Sequence, residues 1–243
     1  MAGDRRIAQA YPGFAAAAGG LATPQIRNIG TIGGNLAQRS RCWYYRNPHM
    51  ACLKKGGDTC PARSGNHLYG VIFDLGPCVA PHPSTLGAAL LAYEATVTTS
   101  LRPDMAIATL FGDGRDGSRD HTLQAGEQIH WLDLPTPLGG ERAGYHRAIS
   151  RTYAEWPLVE AVIRIVPDGD RIGLARVAVG GVAPVPLRLP AVEDALAGKQ
   201  LDAATITAAA MSATSGAKPL PATGYKVRML EGLVAHILGT LQP

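Results

Sequence analysis

The side chains with the most chemistry to offer are four cysteines crowded into one stretch. Cys42, Cys52, Cys60 and Cys78 follow a C-x9-C-x7-C-x17-C spacing, and the rest of the chain has none. Four thiolates suit a tetrahedral zinc or an iron-sulfur cluster, both of which take soft sulfur ligands. Structural zinc sites usually include a pair two to four residues apart, and this spacing has no such pair; the tight ferredoxin runs are absent as well. A cluster, a zinc ion, and unconnected or disulfide-bonded cysteines therefore all stay open. A disulfide-stapled fold would spread its cysteines, and a chain of 243 residues has enough core to do without staples.

The surrounding charge favours an anion. Between positions 39 and 63 stand Arg39, Arg41, Arg46, Lys54, Lys55 and Arg63 against a single Asp58. A four-thiolate cluster is a net anion, which cations and backbone N–H groups stabilise. A solvated face or a phosphate-binding patch would use the same residues. Trp43, Tyr44 and Tyr45 among the arginines could stack on bases, a weaker reading. The net charge of +4 is unevenly placed, because the first 80 residues hold nine basic and three acidic side chains.

Thr31-Ile32-Gly33-Gly34-Asn35 is the second constellation. Adjacent glycines let a backbone approach a ligand and present consecutive N–H groups, although a tight turn would use them equally well. Neither G-x-G-x-x-G nor G-K-[ST] is present. His49, His67, His82, His121, His130, His146 and His236 are scattered, and no G-x-S-x-G elbow occurs. Side-chain acid-base catalysis is not the obvious method of this protein.

Certain elements must position these groups. The run IRNIGTIGGNLAQ from residue 26 reads as strand, tight loop, strand. Residues 39 to 80 read as a long ordered loop that something must hold, and a metal would serve. Ser84 reads as the N-cap of a helix carrying Leu86, Leu90 and Tyr93, followed by a strand at 95–101. A Gly- and Asp-rich loop at 112–126 marks a domain boundary, giving domains at 1–120 and 121–243. Strands are expected at 129–134, 156–166 and 172–182, the last two joined by the hairpin turn Pro167-Asp168-Gly169-Asp170. Helices at 191–197, 202–213 and 224–240 complete an α+β pattern.

Hydrophobic content of 46% excludes disorder, and no stretch reaches the apolar length of a membrane helix. The N-terminal Arg5-Arg6 and alanine-rich run are interrupted by Pro12, Gly13, Gly19 and Gly20, so a short amphipathic helix is expected there rather than an export signal.

Taken together, QIRNIGTIGGNLAQRSRCWYYR, CLKKGGDTC, CVAPHPSTLGAALLAYEA, the GGVAP at 180–184 and the YKV at 225–227 resemble one family in order and spacing. It is the FAD-binding medium subunit of the xanthine dehydrogenase-type molybdenum hydroxylases. The cysteine loop resembles the branch with an extra [4Fe-4S] cluster, the periplasmic aldehyde oxidoreductase and 4-hydroxybenzoyl-CoA reductase type. The resemblance implies the second lobe of a PCMH-type FAD-binding domain with an inserted iron-sulfur loop, then a small domain of antiparallel sheet and helices. It implies FAD contacts from Thr31, Gly33, Gly34, Asn35, Ser84 and Thr85, and cluster ligation by Cys42, Cys52, Cys60 and Cys78. The family's H-P-S-D segment stands here as His82-Pro83-Ser84-Thr85, so Thr85 replaces a charged aspartate with a hydroxyl. A further lobe that holds the ADP half of FAD has no counterpart in these residues, and Gly19-Gly20 only superficially echoes its glycine loop.

The implied function is electron transfer. Electrons would pass from a molybdopterin-binding large subunit through a [2Fe-2S] small subunit to FAD here, and then to a small-molecule acceptor. The alternative is a non-catalytic structural or assembly fragment with a zinc-bound or empty cysteine loop. No nucleic acid and no membrane insertion are expected. Cluster maturation points to the cytoplasm, with export on a partner's signal still open.

Overall fold

The computed structural model describes residues 3–151 and 154–242. The chain is α+β and builds two antiparallel sheets. Asp4 caps α1 (Arg5–Ala10) by accepting from the Arg6 N–H, and Pro12 opens α2 (Pro12–Gly19) at a position where its missing N–H costs nothing. Phe14, Ala15, Ala17 and Ala18 of α2 are buried, so the alanine-rich run is core. Gly20 follows because a Cβ there would lie 2.8 Å from Cε1 of Tyr145.

The segment read as strand, loop, strand is instead two short helices, α3 (Pro24–Ile29) and α4 (Ile32–Leu36). The cause is capping. The Thr23 hydroxyl accepts from the Ile26 N–H and the Thr31 hydroxyl from the Gly34 N–H, each satisfying a first-turn donor. The alternation of isoleucine with glycine imitates a strand, but these caps decide the backbone.

Residues 37–83 contain α5 (Trp43–Arg46) and two single 3-10 turns, Leu53–Lys55 and Pro61–Arg63. Ser84 caps α6 (Thr85–Ala92) as the sequence predicts, its hydroxyl accepting from the Gly87 N–H at 2.9 Å. All eight residues of α6 are buried. After it come β1 (Thr96–Thr99), β2 (Met105–Ala106), α7 (Ile107–Phe111) and β3 (Ile129–Asp133). β1 lies between β2 and β3, with Val97 opposite Leu132, so this sheet draws on both sides of the 112–126 loop.

The second sheet runs β4 (Arg142–Ala148), β5 (Val159–Asp168), β6 (Arg171–Gly180) and β7 (Leu187–Arg188), in that order. β5 begins at Val159 rather than at Trp156, and β4 is a strand the sequence does not announce. The β5–β6 turn is the expected hairpin, with Asp168 opposite Arg171 and Gly169 at φ 63°. One face of the sheet packs on α8 (Pro190–Leu196), α9 (Ala203–Ser212) and α10 (Tyr225–Thr240); the other receives α2 and α6. No helix among the described residues is long and apolar enough to cross a membrane.

Candidate functional site

A cleft of about 640 Å³ opens where α3, α4, the start of α6 and the segment before β5 meet. Such a volume falls within the range of small-molecule and cofactor pockets. Thr31, Gly34, Asn35 and Thr85 all line it, so the structure gathers four of the six predicted flavin contacts into one wall. Asn35 joins the two motifs. Its Oδ1 accepts from the Ser84 hydroxyl at 2.7 Å and from the Leu86 N–H at 3.2 Å, which ties α4 to the N-terminus of α6. Ser84 serves that join and its own cap, while Gly33 faces Ile129, where a Cβ would find ordinary contact at 3.6 Å. At Gly34 a Cβ would press on the Thr31 hydroxyl at 3.0 Å, so the cap itself favours glycine.

The opposite wall holds Arg41, one of the cations expected to face an anion, together with Gln38 and Trp156, which the sequence did not single out. Gln38 Oε1 accepts from Arg41 Nη2 at 2.9 Å and from Trp156 Nε1 at 3.3 Å, and the Arg41 guanidinium lies 4.5 Å from the Trp156 ring centre. The Arg41 Nε–H is buried without an acceptor among the described residues, and burial lowers the pKa of the guanidinium, with Arg46 nearby adding to the effect. A donor left over beside a concave, largely apolar wall fits a ligand with acceptor atoms on its edge, as a flavin has. No spacing signal could have found Trp156, because only the β4–β5 pairing carries it to the cleft.

Behind Thr85 lies a buried carboxyl. Glu160 on β5 is 1% exposed; its Oε2 accepts from the Tyr145 hydroxyl at 2.9 Å, and its Oε1 has no hydrogen-bond partner among the described residues. Burial raises its pKa to about 7, against the Thr85 and Tyr145 hydroxyls, which favour the charged form.

The cysteine loop is held mainly by its own cations. Lys54 and Arg39 meet Asp120 at 2.8 and 2.7 Å, Arg63 meets Asp74 at 2.6 Å, and Lys55 Nζ donates to the Tyr44 and Asn47 carbonyls. With Arg41 bonded to Gln38, five of the six basic residues expected to face an anion are thus engaged within the protein. All four cysteines are free thiols. Cys60 and Cys78 meet, and among the described residues no group of three or more His, Cys, Asp or Glu side chains lies close enough to hold a metal ion. The hydrogen bond from Cys78 holds the Cys60 thiol well below the usual range, helped by the Val79, Ala62 and Arg63 N–H groups, and Cys78 is correspondingly pushed up. A thiolate in a ring of backbone N–H donors is chemistry that suits a sulfur ligand.

A second cavity of about 430 Å³ separates this loop from α10, sharing Arg41, Pro83 and Trp156 with the cleft. Cys42, Trp43, Tyr69, His82 and Lys226 line it. Lys226 donates to the Tyr69 and Gly181 carbonyls, and burial lowers its pKa to about 7. Burial likewise holds His82 down to about 4, with its ring edge-on to Phe111.

The chain resembles known proteins over most of its length. Residues 1–137 match the family described as the FAD binding domain in molybdopterin dehydrogenase, and residues 144–240 match the CO dehydrogenase flavoprotein C-terminal domain. The aldehyde oxidoreductase FAD-binding subunit PaoB of Escherichia coli (strain K12) is 32% identical over 200 residues, 79% of this chain. The chain spans 61% of that relative's length. Carbon monoxide dehydrogenase of Hydrogenophaga pseudoflava superposes with a TM-score of 0.68 at 23% identity, over 97% of this chain and 69% of that one. Quinoline 2-oxidoreductase of Pseudomonas putida 86 does so with a TM-score of 0.68 at 20% identity, over 99% and 70%. At those identities the likeness establishes the fold. With the first family covering more than half of the chain and the second following it in order, this protein belongs to the molybdopterin-dehydrogenase FAD-binding family.

Proposed function

We propose that this chain is the electron-transfer flavin subunit of a molybdenum-containing hydroxylase of the aldehyde or xanthine dehydrogenase kind. The observation that carries the reading is the convergence of Thr31, Gly34, Asn35 and Thr85 on one cleft, inside the region that matches the FAD-binding family. PaoB, an aldehyde oxidoreductase subunit by name, supports the substrate side of it. Bound FAD supplies the reversible uptake of electrons. The chain's own residues bind and orient: Asn35 locks α4 to α6, Arg41 offers its Nε–H, and Trp156 gives the cleft an aromatic wall against Arg41.

In this reading a molybdopterin-binding large subunit and a [2Fe-2S] small subunit deliver electrons, and a small-molecule acceptor removes them. Cys42, Cys52, Cys60 and Cys78 carry a [4Fe-4S] cluster assembled in the cytoplasm, for which the four thiols must draw closer than the Cys60–Cys78 contact now brings them; four free thiols in one loop support this reading.

The test is flavin and metal content. The chain produced with its partner subunits retains FAD, and Asn35→Ala loses it; iron and sulfide reconstitution under nitrogen gives the broad visible absorbance of a cluster. FAD absent from the assembled complex sinks the reading. Zinc bound at one equivalent without flavin favours a structural or assembly piece instead.

A further inference from the structure

Glu160 sits where its charge must be felt in the cleft. The carboxyl lies on the sheet face toward α6, directly opposite Arg147 on β4 and Gly180 on β6. Room has been made for it: a Cβ at position 180 would run into Oε1 and Cγ of Glu160, so the first glycine of the GGVAP motif exists to admit this side chain. The group is contacted from the cleft side through Thr85, which opens α6 and lines the cleft.

The facing groups are few. From β4 come Tyr145 and Arg147, and from α6 the Thr85 hydroxyl. Neither α6 (TLGAALLA) nor α2 (PGFAAAAG) has an ionisable side chain, and β6 contributes Gly180. The next charged residue on this face of β5 is Arg164, which is committed to Glu141 at 2.6 Å. Arg147 favours the charged form across the strand pair, but among the described residues Glu160 has no direct ion pair to fix it there permanently. Oε1, without a hydrogen-bond partner among the described residues, can accept or carry a proton, and Thr85 and Arg147 are polar side chains that act on the carboxyl and line the cleft as well.

We propose that Glu160 is a proton-holding positioning residue for the cleft, taking up one proton from solvent when a flavin held in the cleft is reduced and gains negative charge. The inference rests on the flavin reading of the preceding subsection. In a titration a chemical reductant such as dithionite supplies two electrons, solvent supplies one proton to the flavin and one to the protein, and the only bond formed on the protein is the O–H of the Glu160 carboxyl. An anion and a buried carboxylate sharing the N-terminus of α6 repel each other, and protonation of the carboxylate removes that repulsion. The pH dependence of the flavin potential is then steeper than the flavin alone would give.

Potentiometric titration of the flavin-loaded complex, stepped through neutral pH, tests this. Wild type shows a steeper slope than Glu160→Gln around neutrality, equivalent to about one extra proton per flavin reduced. Tyr145→Phe removes a donor that favours the carboxylate, so it moves the steep region to higher pH. Parallel profiles for wild type and Glu160→Gln, or an unmoved profile in Tyr145→Phe, overturn the proposal while leaving the flavin reading intact. A complex that binds no flavin overturns both.

Discussion

Along β5 the side chains alternate between two environments. Ala161, Ile163 and Ile165 enter the core shared with α8, α9 and α10, whereas Glu160, Val162 and Arg164 turn toward α2 and α6. The first face of β5 is wholly apolar. The second buries an ion pair, Arg164 to Glu141, whose side chains are 4% and 3% exposed. Arg164 also donates to the Ala92 carbonyl at the end of α6 and lies 4.2 Å from the Tyr93 ring centre. A buried ion pair gives little net stability compared with apolar side chains of the same volume. Its contribution here is direction: the pair fixes how α6 crosses the sheet, and the N-terminus of α6 is a wall of the cleft. One face holds the domain together, and the other aims the site.

The difference can be broken on either side. Glu141→Ala leaves Arg164 buried and uncompensated and costs about 3–5 kcal/mol in denaturant unfolding, with weaker flavin binding because α6 loses its anchor. Adding Arg164→Met restores most of the stability and little of the affinity. If the single substitution costs no more than a surface change, the two faces do not differ in the way described. Leu230→Ala, from a fully buried position on α10, costs about 2–5 kcal/mol and leaves flavin affinity unchanged in material that remains folded. A parallel loss of affinity would show that the apolar face also aims the site.

The polar face also carries a pH signature. Burial lifts the folded-state pKa of Glu160 to about 7 from 4.5. The folded state therefore binds the extra proton between those values, and stability falls as pH rises through that window. The slope totals about 3 kcal/mol. Glu160→Gln flattens this segment of the stability profile, measured by urea unfolding at steps of pH. A wild-type profile already flat across the window removes Glu160 from the titrating groups.

What could be read in advance was whatever is settled locally. The Ser84 cap, the Asp168 to Arg171 hairpin and the three C-terminal helices depend on residues within a few positions of each other, and the structure has them. The misread stretch at 26–38 was also local, but two signals competed there. The isoleucine and glycine alternation suggested a strand, while Thr23 and Thr31 stood one turn ahead of the N–H groups they cap. β4 was invisible because RAGYHRA has few β-branched residues; its seven-residue register with β5 makes it a strand. The flavin motifs were legible as sequence, but their meeting was not. Asn35 and Ser84 stand 49 residues apart, and Gln38 meets Trp156 across 118. Glu160 gave no sign at all, since its burial is decided by the strands on both sides of it.

Gly180 offers the finest test of the same contrast. If the glycine is there to admit the Glu160 carboxyl, Gly180→Ala should strain that side chain and little else, at about 1–3 kcal/mol as overpacking usually costs. Shortening the neighbour removes the conflict, so in Glu160→Ala the same substitution should cost less. The coupling between the two positions is then about 0.5–2 kcal/mol, the range found for residues in contact. On the apolar face, the cycle pairing Gly180→Ala with Leu230→Ala should give no coupling. Additivity in the Glu160 cycle would mean that the glycine serves only the turn leading to Gly181, whose φ of 75° already requires glycine at that neighbouring position.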